Sequence, residues 1–178
     1  MTSISYVIRL RRRRELTVIT RARALPSAVI CVLSLTGLAP AEAAAETVDL
    51  GDTADIDLLD IENGGDHEID QHWTIGDLMP STDAIPYRLT GSLWEATATA
   101  RLDHGGIPVI TGFFARSDSG SYPVLWNVAS PLAVNPAALP PAGSVTGKLY
   151  FDVTGAAPTS VAFVDVEDEL IEWRTPAG

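Results

Sequence analysis

The stretch "SLWEATATARL", Ser92–Leu102, decides the fold class of this 178-residue chain, because its side chains alternate with a period of two. One side of the stretch is apolar and consists of Trp94, Ala96, Ala98 and Ala100. The other side is polar and consists of Glu95, Thr97, Thr99 and Arg101. Such alternation is typical of a β-strand that packs one face on a core and exposes the other to water. The stretch therefore predicts a sheet with one buried face.

The same period recurs along the chain from Glu46 onward. Further strands are predicted at "YPVLWNV", "KLYFDV", "TSVAFVDV" and "DELIEW", and "IPVITGFFAR" is apolar on both sides, as a central strand is. The turn residues between these runs are Asn63-Gly64-Gly65, Asp103-His104-Gly105-Gly106, Ser117-Asp118-Ser119-Gly120 and Thr154-Gly155-Ala156-Ala157-Pro158. The one long connection, "ASPLAVNPAALPPAGS", either crosses between sheets or forms an ordered surface loop. About eight short strands with no helical period predict an all-β fold, an antiparallel β-sandwich.

The first 45 residues have a different composition from the rest. Seven of the twelve basic residues are arginines within the first 23 positions, and an apolar run ending in small residues follows, "ALPSAVICVLSLTGLAPAEAAA". This order of regions is typical of a secretory signal peptide, with cleavage after Ala43 or Ala45. We predict a signal peptide at residues 1–45 and a single β-sandwich domain at residues 46–178, exported to the extracellular space.

Two alternatives remain open for this N-terminal segment. A retained membrane anchor is disfavoured because Pro26, Gly37 and Pro40 interrupt an apolar run that is shorter than the ~20 residues of a spanning helix. The arginine run is also compatible with the twin-arginine export route instead of the general one. Under either export route, we expect no stable membrane span after cleavage.

The composition of residues 46–178 excludes several classes of function. The single cysteine, Cys31, lies in the predicted signal, so the mature domain has no disulfide, thiol nucleophile or cysteine-bound zinc. From Glu46 onward the chain has 21 acidic and five basic residues, a net charge of −16. Such a surface repels nucleic acid, whereas it permits cations or basic partners. We expect a monomer that binds no nucleic acid.

Several short motifs resemble a known family. They are "WEATATA" (residues 94–100), "GKLYFDVTG" (147–155) with "APT" (157–159), "ED" leading to "LIEW" (167–173), "VLW" (124–126) and W-x-I-x-D-L (73–78). In order and spacing, over about residues 73–173, they resemble the small secreted mycobacterial antigens called the immunogenic sixty-three antigens, which are major culture-filtrate proteins. The resemblance implies an immunoglobulin-like antiparallel sandwich, export, and no known enzymatic activity. It supplies no functional residue.

The most concentrated candidate site is "NGGDHEIDQHW", residues 63–73. If this stretch is a strand, Ile69, Gln71, Trp73 and Ile75 face the core. Glu68, Asp70 and His72 then face outward, where alternate residues roughly 6.5–7 Å apart can converge on one cation. Zinc needs three or four ligands and a second hydrogen-bond partner for the imidazole, which the sequence does not specify. A solvated strand face is the default expectation for these three residues.

A calcium site is a second hypothesis. Asp55, Asp57 and Asp60 are closely spaced in "DTADIDLLD", but the glycine turn and distal glutamate of an EF-hand are missing. Calcium can also bind between loops at one end of a sandwich. Such a site would combine this run with Asp165, Glu167, Asp168 and Glu169.

Hydrolase chemistry finds little support in the motifs. Asp103 and His104, with Ser117, Ser119 and Ser121, supply the residue types of a catalytic triad. However, the chain has no Gly-x-Ser-x-Gly elbow, and both segments are explained as hairpin turns. We predict no catalytic residue and no cofactor. The four tryptophans are explained as core residues in at least three cases, with Trp173 the weakest.

These observations favour a secreted, non-enzymatic immunoglobulin-like antigen that binds an unidentified host or cell-envelope partner through its surface. The alternative is a calcium- or zinc-dependent module, either an adhesion domain or a metal-assisted hydrolase.

Overall fold

The computed structural model describes residues 6–7, 45–60, 67–165 and 168–176, with only the backbone described at 6–7, 57–60, 67–69 and 168–170. These residues form ten strands: β1 (Tyr6–Val7), β2 (Glu46–Asp49), β3 (Thr53–Asp60), β4 (His67–Pro80), β5 (Ser92–Leu102), β6 (Phe113–Ser117), β7 (Gly120–Pro123), β8 (Gly143–Val153), β9 (Ser160–Asp165) and β10 (Asp168–Arg174). No helix in the described part of the chain is long and apolar enough to cross a membrane. Apart from residues 6–7 and 45, the predicted signal peptide lies outside the described residues.

The strands form two five-stranded sheets. The first sheet has the order β1-β3-β4-β5-β8, and the second has the order β2-β10-β9-β6-β7. Neighbouring strands are antiparallel except for β2 and β10, which run parallel. The predicted all-β sandwich is confirmed, and the fold is immunoglobulin-like. The sequence predicted about eight strands, and it missed β2 as well as β3, whose three aspartates were interpreted as possible cation ligands. Of the predicted strand "IPVITGFFAR", only the part from Phe113 onward forms a strand, β6.

The strand β5 has the bounds and the alternation predicted for it. Ala96, Ala98 and Ala100 on its inner side are fully buried, whereas Thr97 and Arg101 on its outer side are exposed. Strand β5 pairs with both β4 and β8, so it is a central strand of the first sheet. Its small inner side chains leave room above them for aromatic rings from other strands.

An aromatic cluster fills the space between the sheets. Phe113 of β6 lies at its centre, with its ring centroid 4.7 Å from Trp73 of β4 and 5.0 Å from Phe163 of β9, both in edge-on geometry. Trp173 of β10 lies 6.0 Å from the same ring. Rings from both sheets therefore meet at Phe113, where edge-on pairs add stabilisation beyond the burial of their area.

The tryptophans follow the predictions in three cases out of four. Trp73 and Trp173 are fully buried, and Trp94 is partly buried against the core. The exposed exception is Trp126, at 59%, and not Trp173, which the sequence had made the weakest core candidate. Strand β7 ends at Pro123, which has no N–H to donate to a ladder, and Trp126 lies in the connection that follows.

The long connection between β7 and β8 crosses from the second sheet to the first and is also ordered along its path. Val134 donates its backbone N–H to the carbonyl of Lys148 at 3.1 Å, and Lys148 donates to Leu132 at 2.7 Å. Both alternatives that the sequence left open therefore apply to it.

Candidate functional site

The outer face of the first sheet brings polar side chains of four strands into rows. Because β3, β4 and β5 pair in antiparallel register, Asp55 lies opposite His72, and His72 lies opposite Arg101. Each of these three residues has a buried neighbour in the sequence: Ala54 beside Asp55, Trp73 beside His72, and Ala100 beside Arg101. Alternation along each strand thus turns Asp55, His72 and Arg101 outward.

His72 is the centre of the first outward group. Its Nδ1 lies 2.6 Å from Oδ1 of Asp55, and its Nε2 lies 3.1 Å from Oδ2 of Asp103. Arg101 Nη2 contacts the other oxygen of Asp103 at 2.6 Å. We call these four residues, Asp55, His72, Arg101 and Asp103, the His72 cluster. Both ring nitrogens face carboxylates, which favours the doubly protonated imidazolium.

The electrostatics of the His72 cluster follow from this geometry. Hydrogen bonds to Asp55 and then to Asp103 raise the pKa of His72 above its ordinary value of 6.5, against the opposing effect of partial burial. The hydrogen bond from His72 holds the pKa of Asp103 below its ordinary value, with help from Arg101. His72, which lies between two carboxylates, therefore stays protonated to a higher pH than a histidine surrounded by water.

The turn after β5 places Asp103 beside His72. Gly105 and Gly106 adopt φ values of +77° and +119°, a region that side-chain-bearing residues rarely occupy. A Cβ at Gly105 would lie only 2.7 Å from the carbonyl oxygen of Leu139. The Asp103-His104-Gly105-Gly106 segment is thus a turn, but not the hairpin turn that was predicted, because the next strand, β6, belongs to the second sheet. Its tight path fixes where the Asp103 carboxylate lies.

The three predicted metal candidates are only partly brought together. Asp70 and His72 lie on the outer face of β4, as predicted, and the side chain of Glu68 lies outside the described residues. Asp70 contacts His104 at 3.7 Å rather than His72. Among the side chains described, no three His, Cys, Asp or Glu residues are placed to hold a metal ion. The inward prediction is confirmed for Gln71, whose Oε1 accepts from Trp73 Nε1 and from the backbone N–H of Val109, both at 3.0 Å.

A second outward group lies further along the same face, around Lys148 of β8. Its Nζ contacts Asp83 at 2.7 Å and Glu95 at 2.8 Å, and the hydroxyl of Tyr150 donates to Asp83 at 2.6 Å. We call these four residues, Asp83, Glu95, Lys148 and Tyr150, the Lys148 cluster. Hydrogen bonds to Asp83 and Glu95 raise the pKa of Lys148, and Lys148 in turn holds the pKa of Asp83 low.

A row of four threonines crosses the sheet between the two clusters. The register aligns Thr53, Thr74, Thr99 and Thr146 on adjacent strands. The Oγ1 atoms of Thr53 and Thr74 lie 2.6 Å apart, and those of Thr99 and Thr146 lie 2.9 Å apart. The face is therefore polar from one cluster to the other.

The residues of the triad hypothesis do not converge in the described part of the structure, whereas most side chains of the calcium hypothesis lie outside it. Ser117, at the end of β6, and Ser121, in β7, belong to the second sheet, whereas His104 follows β5 of the first. Ser117 donates its hydroxyl to the carbonyl of Gly120 at 3.4 Å. For the calcium hypothesis, Asp55 contacts His72, and the other aspartates of β3 lie outside the described side chains.

Sequence reasoning missed Asp55 and Asp103 as partners of His72, and all of the Lys148 cluster. Asp55 had a local signal, because Ala54 and Ile56 alternate with it in the way that marks a half-buried strand. Asp83 had none, since it lies in the connection between β4 and β5 and reaches Lys148 only through the folding of that segment. The contact between Lys148 and Glu95 could be predicted only if the pairing of β8 with β5 was already known.

The fold and its outer faces define a class of protein, an immunoglobulin-like sandwich with ordered charge clusters on its surface. Residues 46–173 match the family model described as Domain of unknown function (DUF1942), and the chain belongs to this family. Immunogenic protein MPB63 of Mycobacterium bovis and Immunogenic protein MPT63 of Mycobacterium tuberculosis are each 42% identical to it over 105 residues. Each alignment covers 57% of this chain and 66% of the relative, slightly less than two thirds of its length.

A solved structure agrees with these relatives. The crystal structure of MPT63, a secreted protein of Mycobacterium tuberculosis, matches with a TM-score of 0.62 and 36% identity, covering 74% of this chain and 98% of that one. The resemblance seen in the sequence motifs is thereby confirmed. The relatives are named as immunogenic proteins, and neither they nor the family model indicate an enzyme family.

Proposed function

We propose that this protein is a secreted, non-enzymatic antigen that binds a host or cell-envelope partner through the outer face of its first sheet. Its relatives are named for immunogenicity, and the matched structure is that of a secreted protein. An N-terminal basic and apolar segment of the secretory type supports export of this chain as well. Sandwiches of this architecture use exposed sheets and loops for recognition.

The His72 cluster is the observation that carries this proposal. Asp55 has a side chain that is 71% exposed although it contacts His72, and the Asp103 side chain is 38% exposed. Carboxylates that are held in place and still face water can meet a partner without losing much conformational freedom. With a net charge of −16 from Glu46 onward, the partner that this face attracts is basic.

A pull-down tests the proposal. The purified protein is immobilised and exposed to host-surface and cell-envelope fractions at two salt concentrations. We expect a saturable partner whose binding weakens as salt rises, because exposed charges are screened. A partner that binds equally well to a protein carrying both Asp55→Asn and Asp103→Asn, or no saturable partner at any salt concentration, would overturn it.

A further inference from the structure

The outer face of the second sheet contains a polar cleft of about 400 Å³. Arg116 of β6 and Arg174 of β10 both pair with Ser160 of the intervening strand β9. Directly paired residues of adjacent strands share a face, so two arginines flank one small serine. The short central side chain and its long neighbours produce the concave shape.

The floor of this cleft is an ordered polar network. Ser160 is 3% exposed and donates its hydroxyl to Oε1 of Glu172 at 2.6 Å, while Nη2 of Arg174 contacts Oε2 of Glu172 at 2.5 Å. Burial alone would raise the pKa of Glu172, but Arg174, Ser160 and the nearby charge of Arg116 hold it below its ordinary value. Glu172 is therefore an ionised, buried carboxylate that fixes the position of Arg174.

The distribution of basic residues makes this cleft distinctive. Only five basic residues follow Glu46, and two of them, Arg116 and Arg174, line the cleft. Arg101 and Lys148 belong to the two clusters of the other sheet, and Arg174 pairs with Glu172 in the floor of the cleft. Asp118 and Glu172 also line the cleft, so its formal charge is zero within a strongly acidic domain. Its two guanidinium groups can recognise carboxylates and phosphates through paired N–H donors.

The remaining lining residues indicate a hydrophilic ligand. They include Ser117, Thr159 and Thr175, whose hydroxyl groups can both donate and accept hydrogen bonds, and Asp118, which can accept them. Every described residue that lines the cleft is polar, which disfavours a lipid or another apolar ligand. The volume is at the lower end of the ~300–1,000 Å³ range of small-molecule sites, which suits a ligand of about one sugar ring.

We propose that the cleft between Arg116 and Arg174 binds a small acidic carbohydrate. The carboxylate or phosphate of the ligand pairs with the guanidinium groups, and its hydroxyls bond to the serine and threonine hydroxyls and to Asp118. This site lies on the opposite sheet from the His72 cluster, so it is separate from the surface proposed for the macromolecular partner.

An NMR titration of the protein, expressed from the full chain and isotope-labelled, tests this site. The probes are glucuronate, glucose 6-phosphate, glucose and inorganic phosphate. We expect saturable shifts of backbone amides in residues 116–118, 159–160 and 172–175 with glucuronate or glucose 6-phosphate, and the better of the two identifies the acidic group. Binding of glucose or phosphate alone should be at least about tenfold weaker, because each lacks one set of contacts.

Two outcomes of that titration overturn the proposal. Equal affinity for inorganic phosphate and for the two sugar acids would show that the hydroxyl groups of the ligand are not recognised. The absence of saturable shifts with either sugar acid at millimolar concentration would show that the cleft binds no ligand of this class.

Variants separate a specific site from general attraction. Arg116→Ala should weaken binding of the preferred sugar acid at least about tenfold. Arg116→Lys keeps the charge and loses the paired donors, so it should weaken binding too. Arg88→Ala, which removes an exposed arginine outside the cleft, serves as the matched control and should change nothing. An unchanged melting temperature confirms that each variant is folded, and wild-type affinity in folded Arg116→Ala would overturn the proposal.

Discussion

The two charge clusters on the outer face of the first sheet have the same arrangement of charges but differ in the basic residue at their centre. In each, one basic side chain bridges two carboxylates: His72 lies between Asp55 and Asp103, and Lys148 lies between Asp83 and Glu95. Lysine remains charged throughout the range in which proteins work, whereas histidine changes its charge near neutral pH. The difference implies that the Lys148 cluster stabilises the fold at all ordinary pH values, and that the His72 cluster does so only while its imidazole is protonated.

The two clusters also differ in how far their carboxylate side chains are exposed to water. The carboxylate side chains around Lys148 are 21% and 15% exposed, whereas Asp55 beside His72 is 71% exposed. Tyr150, which is fully buried although it lies on the outer side of β8, also contacts Asp83 and so anchors the Lys148 cluster to the fold. We therefore propose a structural role for the Lys148 cluster and a recognition role for the His72 cluster.

The largest loss of stability is expected from a substitution in the core beneath the charged face, and the losses in the two clusters are compared with it. Phe113→Ala removes the ring that joins Trp73, Phe163 and Trp173, and should lower the free energy of unfolding by ~3–5 kcal/mol in urea titrations. Phe114→Ala is the matched control, because its side chain points to the other side of β6 and is only partly buried. Equal losses for the two variants would contradict the proposed core.

Replacing the lysine tests the structural role of its cluster. Lys148→Met leaves Asp83 and Glu95 close together without their shared cation, so it should lower the urea midpoint at pH 7. The loss should exceed that of His72→Gln at the same pH, since His72 is the less fully charged of the two cations. It should shrink in acid, where carboxylate protonation removes the repulsion. A loss that is independent of pH would point to lost packing instead.

The pH dependence of stability distinguishes the clusters most clearly. Because the pKa of His72 is raised on folding, its contribution is complete below the ordinary value of 6.5 and is lost as pH rises through the higher folded value. Unfolding midpoints of the wild type should therefore fall more steeply over this interval than those of His72→Gln. Lys148→Met should retain the wild-type slope. Parallel curves for the wild type and His72→Gln would rule out the histidine as the source.

The smallest effect is expected from metal ions. Melting temperatures of the purified protein with EDTA, Ca²⁺ or Zn²⁺ should agree, because both ring nitrogens of His72 already contact carboxylates. An ion at 100 times its dissociation constant would add about 2.7 kcal/mol, which melting would detect. A zinc-dependent rise that disappears in His72→Ala would support the alternative of a cation-dependent module instead.

The sequence predicted some parts of this molecule well for identifiable reasons. Alternation in Ser92–Leu102 predicted β5 and its buried side, because a two-residue period is a local property. It also predicted the outward position of His72 and the inward position of Trp73. The exposed Trp126 was missed because Pro123 ends the strand before it, and alternation alone does not register that interruption.

The clusters could not be predicted in the same way. Asp55 and Asp103 are 17 and 31 residues from His72 in the chain, so their convergence depends on the register of β3, β4 and β5. A shift of one residue would turn every side chain of a strand to the opposite face. Register is set by the packed core and the turns together, and the residues of one strand do not contain that information.

The most direct test of the different roles is partner capture by matched variants. The wild type, the double variant Asp55→Asn with Asp103→Asn, and the single variant Asp83→Asn are each immobilised and exposed to the same host-surface and envelope fractions. Circular dichroism verifies that all three are folded. Our account predicts that Asp83→Asn captures the partner as the wild type does, and that the double variant loses it. Undiminished capture by the folded double variant would contradict the assignment of recognition to the His72 cluster.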